Sequence, residues 1–229
     1  IRNLNVTLRQ GEKIAVVGEN GSGKTTFIKL LSGIYDCDEG EILINGEPVK
    51  DIAKLRNSIS VIFQDYAKYR TYIKENITVG DVNRTYTDDD IRDAARQTDI
   101  DSYIETLDDK YDTKLGCFSD SYLDLSGGQW QKLALSRLLF KNDAKMMILD
   151  EPTASLDPLA EADIYANFFH LTKDKTTLFI SHRLGITKVV DRILVFRDGT
   201  VAEQGTHDEL IAANGVYADM YKSQAQWYK

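Results

Sequence analysis

Cysteine, proline and histidine are scarce in this chain: two, three and three among 229 residues. Cys37 and Cys117 have no CxxC spacing and no histidine pair nearby, which excludes a disulfide scaffold or zinc motif and leaves two reduced thiols. No run approaches the roughly 20 apolar residues that cross a bilayer, and no basic-then-apolar signal segment opens the sequence. A soluble, unexported chain is therefore predicted. A basic excess is missing too: the formal net charge is −8 and the isoelectric point near 5.0. Without a cationic field to draw the chain onto phosphate backbones, nucleic acid is not an expected partner. Coiled-coil heptads, internal repeats and Gly/Ser linkers do not occur, which argues against separately folding domains.

What is present is an ordinary globular balance, 42% hydrophobic and 28% charged, so the fold must come from pattern. Short apolar runs rich in β-branched residues at Ile14–Val17, Ile59–Phe63, Met146–Leu149, Thr177–Ile180 and Ile193–Phe196 read as buried strands. Helical patterns alternate with them at Thr25–Ser32, Asp89–Thr98, Gly128–Phe140 and Leu159–Leu171. This alternation predicts an α/β fold, a mainly parallel sheet with helices on both faces. Glu41–Ile44, followed by the turn signal Asn45-Gly46, predicts an antiparallel β edge near the N-terminus. The stretch from about 81 to 139 predicts an inserted helical subdomain, leaving 1–80 and 140–229 as the core of one domain.

Gly18-Glu19-Asn20-Gly21-Ser22-Gly23-Lys24-Thr25 directly follows an apolar strand and opens a helix, the setting that the P-loop pattern requires. Its glycines let successive N–H groups turn inward, and the helix N-terminus adds partial positive charge where phosphates would sit. A merely connecting Gly-rich turn does not explain the lysine. Polyphosphate is the matching ligand. Lys24 is expected on the β- and γ-phosphates, the Thr25 hydroxyl on Mg²⁺, and Thr26 on the α-phosphate.

A second strand, Met146–Leu149, ends in the carboxylates Asp150 and Glu151. Parallel sheets present ligands at the carboxyl ends of their strands. Alternation along the strand lets the two acids take different tasks, Asp150 in the Mg²⁺ shell and Glu151 as the base that orients a water. Alone, such a pair is commonly just the start of a polar loop; the upstream P-loop gives it force.

Leu125-Ser126-Gly127-Gly128-Gln129, just before an apolar helix, would by itself pass for a capping turn. With the two preceding motifs it resembles the signature of ABC ATPases, and the resemblance covers essentially the whole chain. Gln64 matches the family's Q-loop, Ser155-Leu156-Asp157 its D-loop, and Ser181-His182-Arg183 its switch-histidine motif. The resemblance implies a P-loop NTPase core with an inserted helical subdomain, ATP and Mg²⁺ as cofactors, and head-to-tail pairing with a second ABC ATPase domain. In such a homo- or heterodimer, Ser126, Gly127, Gly128 and Gln129 would face the γ-phosphate held by the partner domain, and the partner's signature the one held by Gly18, Asn20, Gly21, Ser22, Gly23 and Lys24. It further implies that Gln64 joins the metal shell and reports to a membrane domain, that Asp157 lies at the dimer seam, and that His182 holds the γ-phosphate, Glu151 and the water. For an isolated histidine after a strand, a structural role would be the ordinary reading.

Tyr72–Ile77 with its Glu75-Asn76-Ile77 triplet, Gly205–Leu210 and Asn214–Tyr217 resemble exporters, implying a motor domain at the cytoplasmic face of a membrane. Gly128-Gln129-Trp130-Gln131 is similar to peptide and lantibiotic exporters, although Trp130 would equally pack on the subdomain surface. Leu115–Asp120 departs from the Gly-Glu-Arg element of many exporters. The resemblance also places an adenine-stacking aromatic upstream of Ile1, together with the membrane domain, which implies weaker nucleotide binding by residues 1–229 alone. A soluble ABC ATPase of DNA maintenance or repair is the alternative, and acidity and the lack of heptads argue against it.

Overall fold

The first strand, β1 (Lys13–Gly18), is buried from end to end inside a six-stranded sheet. The computed structural model describes residues 1–116, 123–152, 158–182 and 184–225, with 158–164 and 225 described by backbone alone. After β1 come α1 (Lys24–Leu31), β2 (Leu43–Ile44), β3 (Glu47–Pro48), α2 (Ile52–Ser58) and β4 (Ile59–Ile62). Helices α3 (Ile73–Thr78), α4 (Asp88–Arg96), α5 (Asp101–Ile104) and α6 (Gly127–Phe140) follow. The chain continues through β5 (Met146–Asp150), α7 (Pro158–Leu171), β6 (Thr176–Ile180), β7 (Arg192–Arg197), β8 (Thr200–Gly205), α8 (His207–Ala213) and α9 (Val216–Ala225).

The sheet runs in the order β4-β5-β6-β1-β7-β8. Strands β5, β6, β1 and β7 pair in parallel, and their near-continuous apolar runs are buried almost throughout, as strands covered on both faces must be. This is the mainly parallel α/β architecture that the sequence predicts.

The antiparallel edge of this sheet is β8, which the sequence reading missed. Strand β7 turns into β8 through Asp198-Gly199, with φ of 50° and 78° and Arg197 paired to Thr200, a two-residue hairpin that needs positive φ at both central positions. The alternating exposure of β8 suits an edge strand but hides it from a search for apolar runs. The predicted strand near Glu41–Ile44 exists only as Leu43–Ile44, antiparallel to β3 in a separate two-stranded sheet.

The chain forms two compact units, one of Ile1–Val61, Ala144–Glu151 and Ala162–Lys229, the other of Ile62–Asp143 and Pro152–Glu161. In the first, Lys13 at the start of β1 donates from its ammonium to the carbonyls of Thr172 and Lys175, just past the end of α7, where a cation complements the helix dipole. Burial lowers its pKa, against the opposing pull of Asp191 and Asp174. The second unit is helical. Ile73, Ile77, Ile91, Ile100, Leu125 and Leu133 form much of its core, each buried aliphatic side chain contributing about 1.5–3 kcal/mol. Capping boxes start both α4, through Thr87 and Asp90, and α6, through Ser126 and Gln129. Among the described residues no helix is long and apolar enough to cross a membrane.

Candidate nucleotide site

Asp150 on β5 pairs in register with Ile180 on β6, and Val16 on β1 pairs with the same Ile180. Three adjacent parallel strands therefore finish level, and the chain leaves them as the P-loop, as Asp150-Glu151 and as Ser181-His182. Backbone bonds from Glu151 N to Ile180 O (2.9 Å) and from Ser181 N to Val16 O (3.3 Å) hold these exits together. The carboxyl edge of a parallel sheet is where α/β folds bind ligands.

The P-loop is built around space that only glycine can leave. A Cβ on Gly18, whose φ is +150°, would lie 2.3 Å from Phe196 O and 2.8 Å from Ser22 Oγ. Gly23 caps α1 with φ +107° and offers no side-chain hydrogen bond, so no cap side chain competes for the first N–H groups of the helix. Asn20, Gly21 and Thr25 are exposed, Thr26 is half-buried, and Phe27 packs on Phe196 with ring centroids 5.3 Å apart.

Two polar side chains of the loop are buried. The Ser22 hydroxyl is buried with no hydrogen-bond partner, which costs on the order of 1–3 kcal/mol unless a ligand satisfies it. Lys24, only 7% exposed, folds its ammonium onto the carbonyls of Gly18 (2.8 Å) and Glu19 (2.9 Å). Burial lowers its pKa, while the nearby Glu151 and Asp150 carboxylates pull it back up. An ammonium held by carbonyls of its own loop is available to an anion that offers stronger acceptors.

Across the strand ends, Glu151 Oε1 lies 3.0 Å from His182 Nδ1, the carboxylate 13% and the imidazole 50% exposed. Asp150 is buried. Glu151 has φ of +50°, a left-handed conformation that disfavours residues with a Cβ.

The remaining predicted residues lie in the helical unit. Gln64 is exposed on a turn just past β4. Ser126 and Gln129 form the box that opens α6: Ser126 N donates to Gln129 Oε1 at 2.8 Å, and Gln129 N to Ser126 Oγ at 3.3 Å. Gly127 and Gly128 have open space where a Cβ would be. Trp130 is not a surface residue: it is 3% exposed in the core of this unit, its indole N–H donating to Asp124 at 3.0 Å. Ser155, Leu156, Asp157 and Arg183, and with them Cys117 to Asp120, lie outside the described residues.

A family model described as "ABC transporter" matches residues 1–154. The chain belongs to the ABC transporter family. It is 43% identical over 226 residues to the subtilin transport ATP-binding protein SpaT of Bacillus subtilis, covering 98% of this chain and 37% of that protein. An ATP-dependent lipid A-core flippase of Hahella chejuensis is 38% identical over 226 residues, covering 98% of this chain and 38% of the flippase. Among solved structures, a bacterial Atm1-family ABC exporter with ATP bound superposes with a TM-score of 0.87 at 35% identity, over 97% of this chain and 38% of that one. The chain thus spans little more than a third of the length of these relatives.

The ABC fold accounts for the arrangement at the sheet edge, and the residues present fit the ATP that the family binds. The cradle left by Gly18, the unpartnered Ser22 hydroxyl and the Lys24 ammonium suit a triphosphate. No cluster of three His, Cys, Asp or Glu suited to a metal occurs among the described residues. Mg²⁺ in nucleotide sites is commonly held by one or two protein oxygens together with phosphates and water, and the Thr25 hydroxyl and Asp150 carboxylate are oxygens of that kind.

Proposed function

We propose that this chain is the ATP-hydrolysing motor domain of an ABC exporter, a single cassette with its core in about 1–80 and 140–229 and a helical subdomain in about 81–139. The observation that carries the reading is the Glu151–His182 contact at 3.0 Å, level with the P-loop on neighbouring strands.

In this reading the backbone of Gly18, Asn20, Gly21, Ser22 and Gly23 wraps the phosphates, Lys24 takes the β- and γ-phosphates, and Thr26 takes the α-phosphate. Thr25, Asp150 and Gln64 would hold Mg²⁺, which supplies charge neutralisation on the phosphates. Glu151 orients a water and accepts its proton as the water oxygen bonds to the γ-phosphorus and the bridging P–O bond to ADP breaks. His182 fixes the carboxylate and bonds the γ-phosphate. Ser126, Gly127, Gly128 and Gln129 of a second ABC ATPase domain, at a helix N-terminus, complete each site from across a head-to-tail dimer.

At the cytoplasmic face of the cell membrane, a transmembrane domain, covalently fused or separate, would turn closure into transport. The cargo proposed is a peptide, on the likeness of Gly128–Gln131 to lantibiotic exporters and on the subtilin transporter among the relatives. Magnesium-dependent phosphate release from ATP by residues 1–229 tests the central reading: turnover in the native chain and its loss in Lys24→Ala support it. No turnover from a chain that dimerises with ATP would overturn it.

A further inference from the structure

Beyond Ile180 the chain leaves the sheet, so the β6 ladder no longer fixes the residue that carries the imidazole. Helix α9 does so instead. The side-chain amide of Gln224 reaches two backbone groups on this exit: its Nε2 donates to the carbonyl of His182, and its Oε1 accepts from Leu184 N at 3.0 Å. A planar amide that both donates and accepts fixes position and orientation together.

The helix that carries Gln224 is itself anchored. Glu203 on β8 accepts from Val216 N at 2.6 Å and from Tyr217 N at 3.0 Å, satisfying the first two N–H groups of α9. About two turns before Gln224 on the same helix face, the fully buried Tyr217 donates to Thr187 Oγ1 at 2.7 Å. Thr187 in turn donates to Leu184 O at 2.6 Å. Leu184 is thus held at its N–H by Gln224 and at its carbonyl through Thr187 and Tyr217. Because both Tyr217 and Thr187 hydroxyl protons are committed, the 2.7 Å contact from Tyr217 Oη to His207 Nδ1 requires the imidazole to be the donor.

We propose that Gln224 is a positioning residue for His182: helix α9, through this amide, sets where the imidazole meets Glu151. The inference rests on the reading of His182 as the residue that holds Glu151 and the γ-phosphate. A side chain half-exposed to solvent keeps its geometry only as well as its backbone is held, and a displacement near 1 Å at a reacting group can cost on the order of a hundredfold in rate.

Gln224→Met keeps the side-chain length and removes both hydrogen bonds. In residues 1–229 it is expected to lower kcat for ATP by about tenfold or more while KM stays within about twofold, the pattern of a lost transition-state interaction. The imidazole signal of His182 in a histidine-selective NMR spectrum, assigned with His182→Asn, should move while those of His170 and His207 stay in place. Gln224→Glu retains the acceptor for Leu184 but sets a carboxylate oxygen against the His182 carbonyl. It should lose turnover as well, and it serves as the second variant if the methionine protein does not fold. Native kcat in either variant overturns the proposal, as does an unmoved His182 signal. If the native chain dimerises with ATP yet turns none over, the hydrolytic reading fails, while the His182 signal still decides whether Gln224 sets the imidazole.

Discussion

Arg137 holds Asn76 at two points, donating from Nε to its backbone carbonyl at 2.9 Å and from Nη2 to its side-chain oxygen at 3.1 Å. The Asn76 amide, fully buried, spends its own protons on Tyr69 O (2.9 Å) and Tyr72 O (3.2 Å). Arg137 also donates to Ala67 O at 3.1 Å and lies over the Tyr69 ring. The loop that follows Gln64 is therefore tied to α6, the helix that Ser126 opens. Arg137→Met removes the cation and strands these acceptors. Since a hydrogen bond to a charged group contributes about 1.5–3 kcal/mol, a loss of at least about 2 kcal/mol is expected, read as a lower urea midpoint at unchanged slope.

At the P-loop, Gly18→Ala would push a Cβ to 2.3 Å from the backbone oxygen of Phe196. Overpacking against backbone costs about 1–3 kcal/mol, and ATP affinity should fall with the distorted loop. Gly21→Ala is the control: its φ of +79° carries strain, but nothing lies within 4 Å of the added carbon, so about 1 kcal/mol is expected. Equal stability losses in the two variants would show that contact with Phe196 is irrelevant.

Removing the proposed base should trap ATP between two copies. Light scattering on Glu151→Gln is expected to show a dimer with ATP and Mg²⁺ and a monomer without them. A mass that ignores nucleotide would argue against the composite site.

Burial pushes the Tyr217 hydroxyl up to about 12. Between its ordinary value near 10 and that value, the unfolded chain releases this proton while the folded chain keeps it, so the tyrosine's contribution to stability is lost as pH rises through the window. The groups facing it are His207 and Tyr221, with Lys188 over the Tyr221 ring. Tyr217→Phe removes one titrating group, so its unfolding free energy should fall less steeply than that of the native chain between pH 10 and 12 in paired denaturant titrations.

Much of this molecule is legible in its sequence where a local pattern carries the physics. The apolar runs before Gly18, Asp150 and Ser181 announce buried parallel strands, and the Gly-rich segment ending in Lys24 announces an anion cradle. Strand β8 was legible as well, through the Asp198-Gly199 turn, but polar alternation makes an edge strand resemble a loop. Gln224 carries no such signal. A glutamine on a helix becomes informative only when tertiary structure sets its amide against the backbone of His182, and Arg137 likewise reads as one more charge until its partners are known.

The left-handed backbone at Glu151 sets folding against reactivity at one position. Glycine there would relieve the φ of +50° at the loss of the carboxylate's contact with the half-exposed His182 imidazole; where that relief outweighs the contact, the folded state would gain and the proposed base would vanish. A library of this domain sorted for heat resistance alone would thus drift toward inert sequences at residue 151, and sorting for turnover would recover the strained carboxylate.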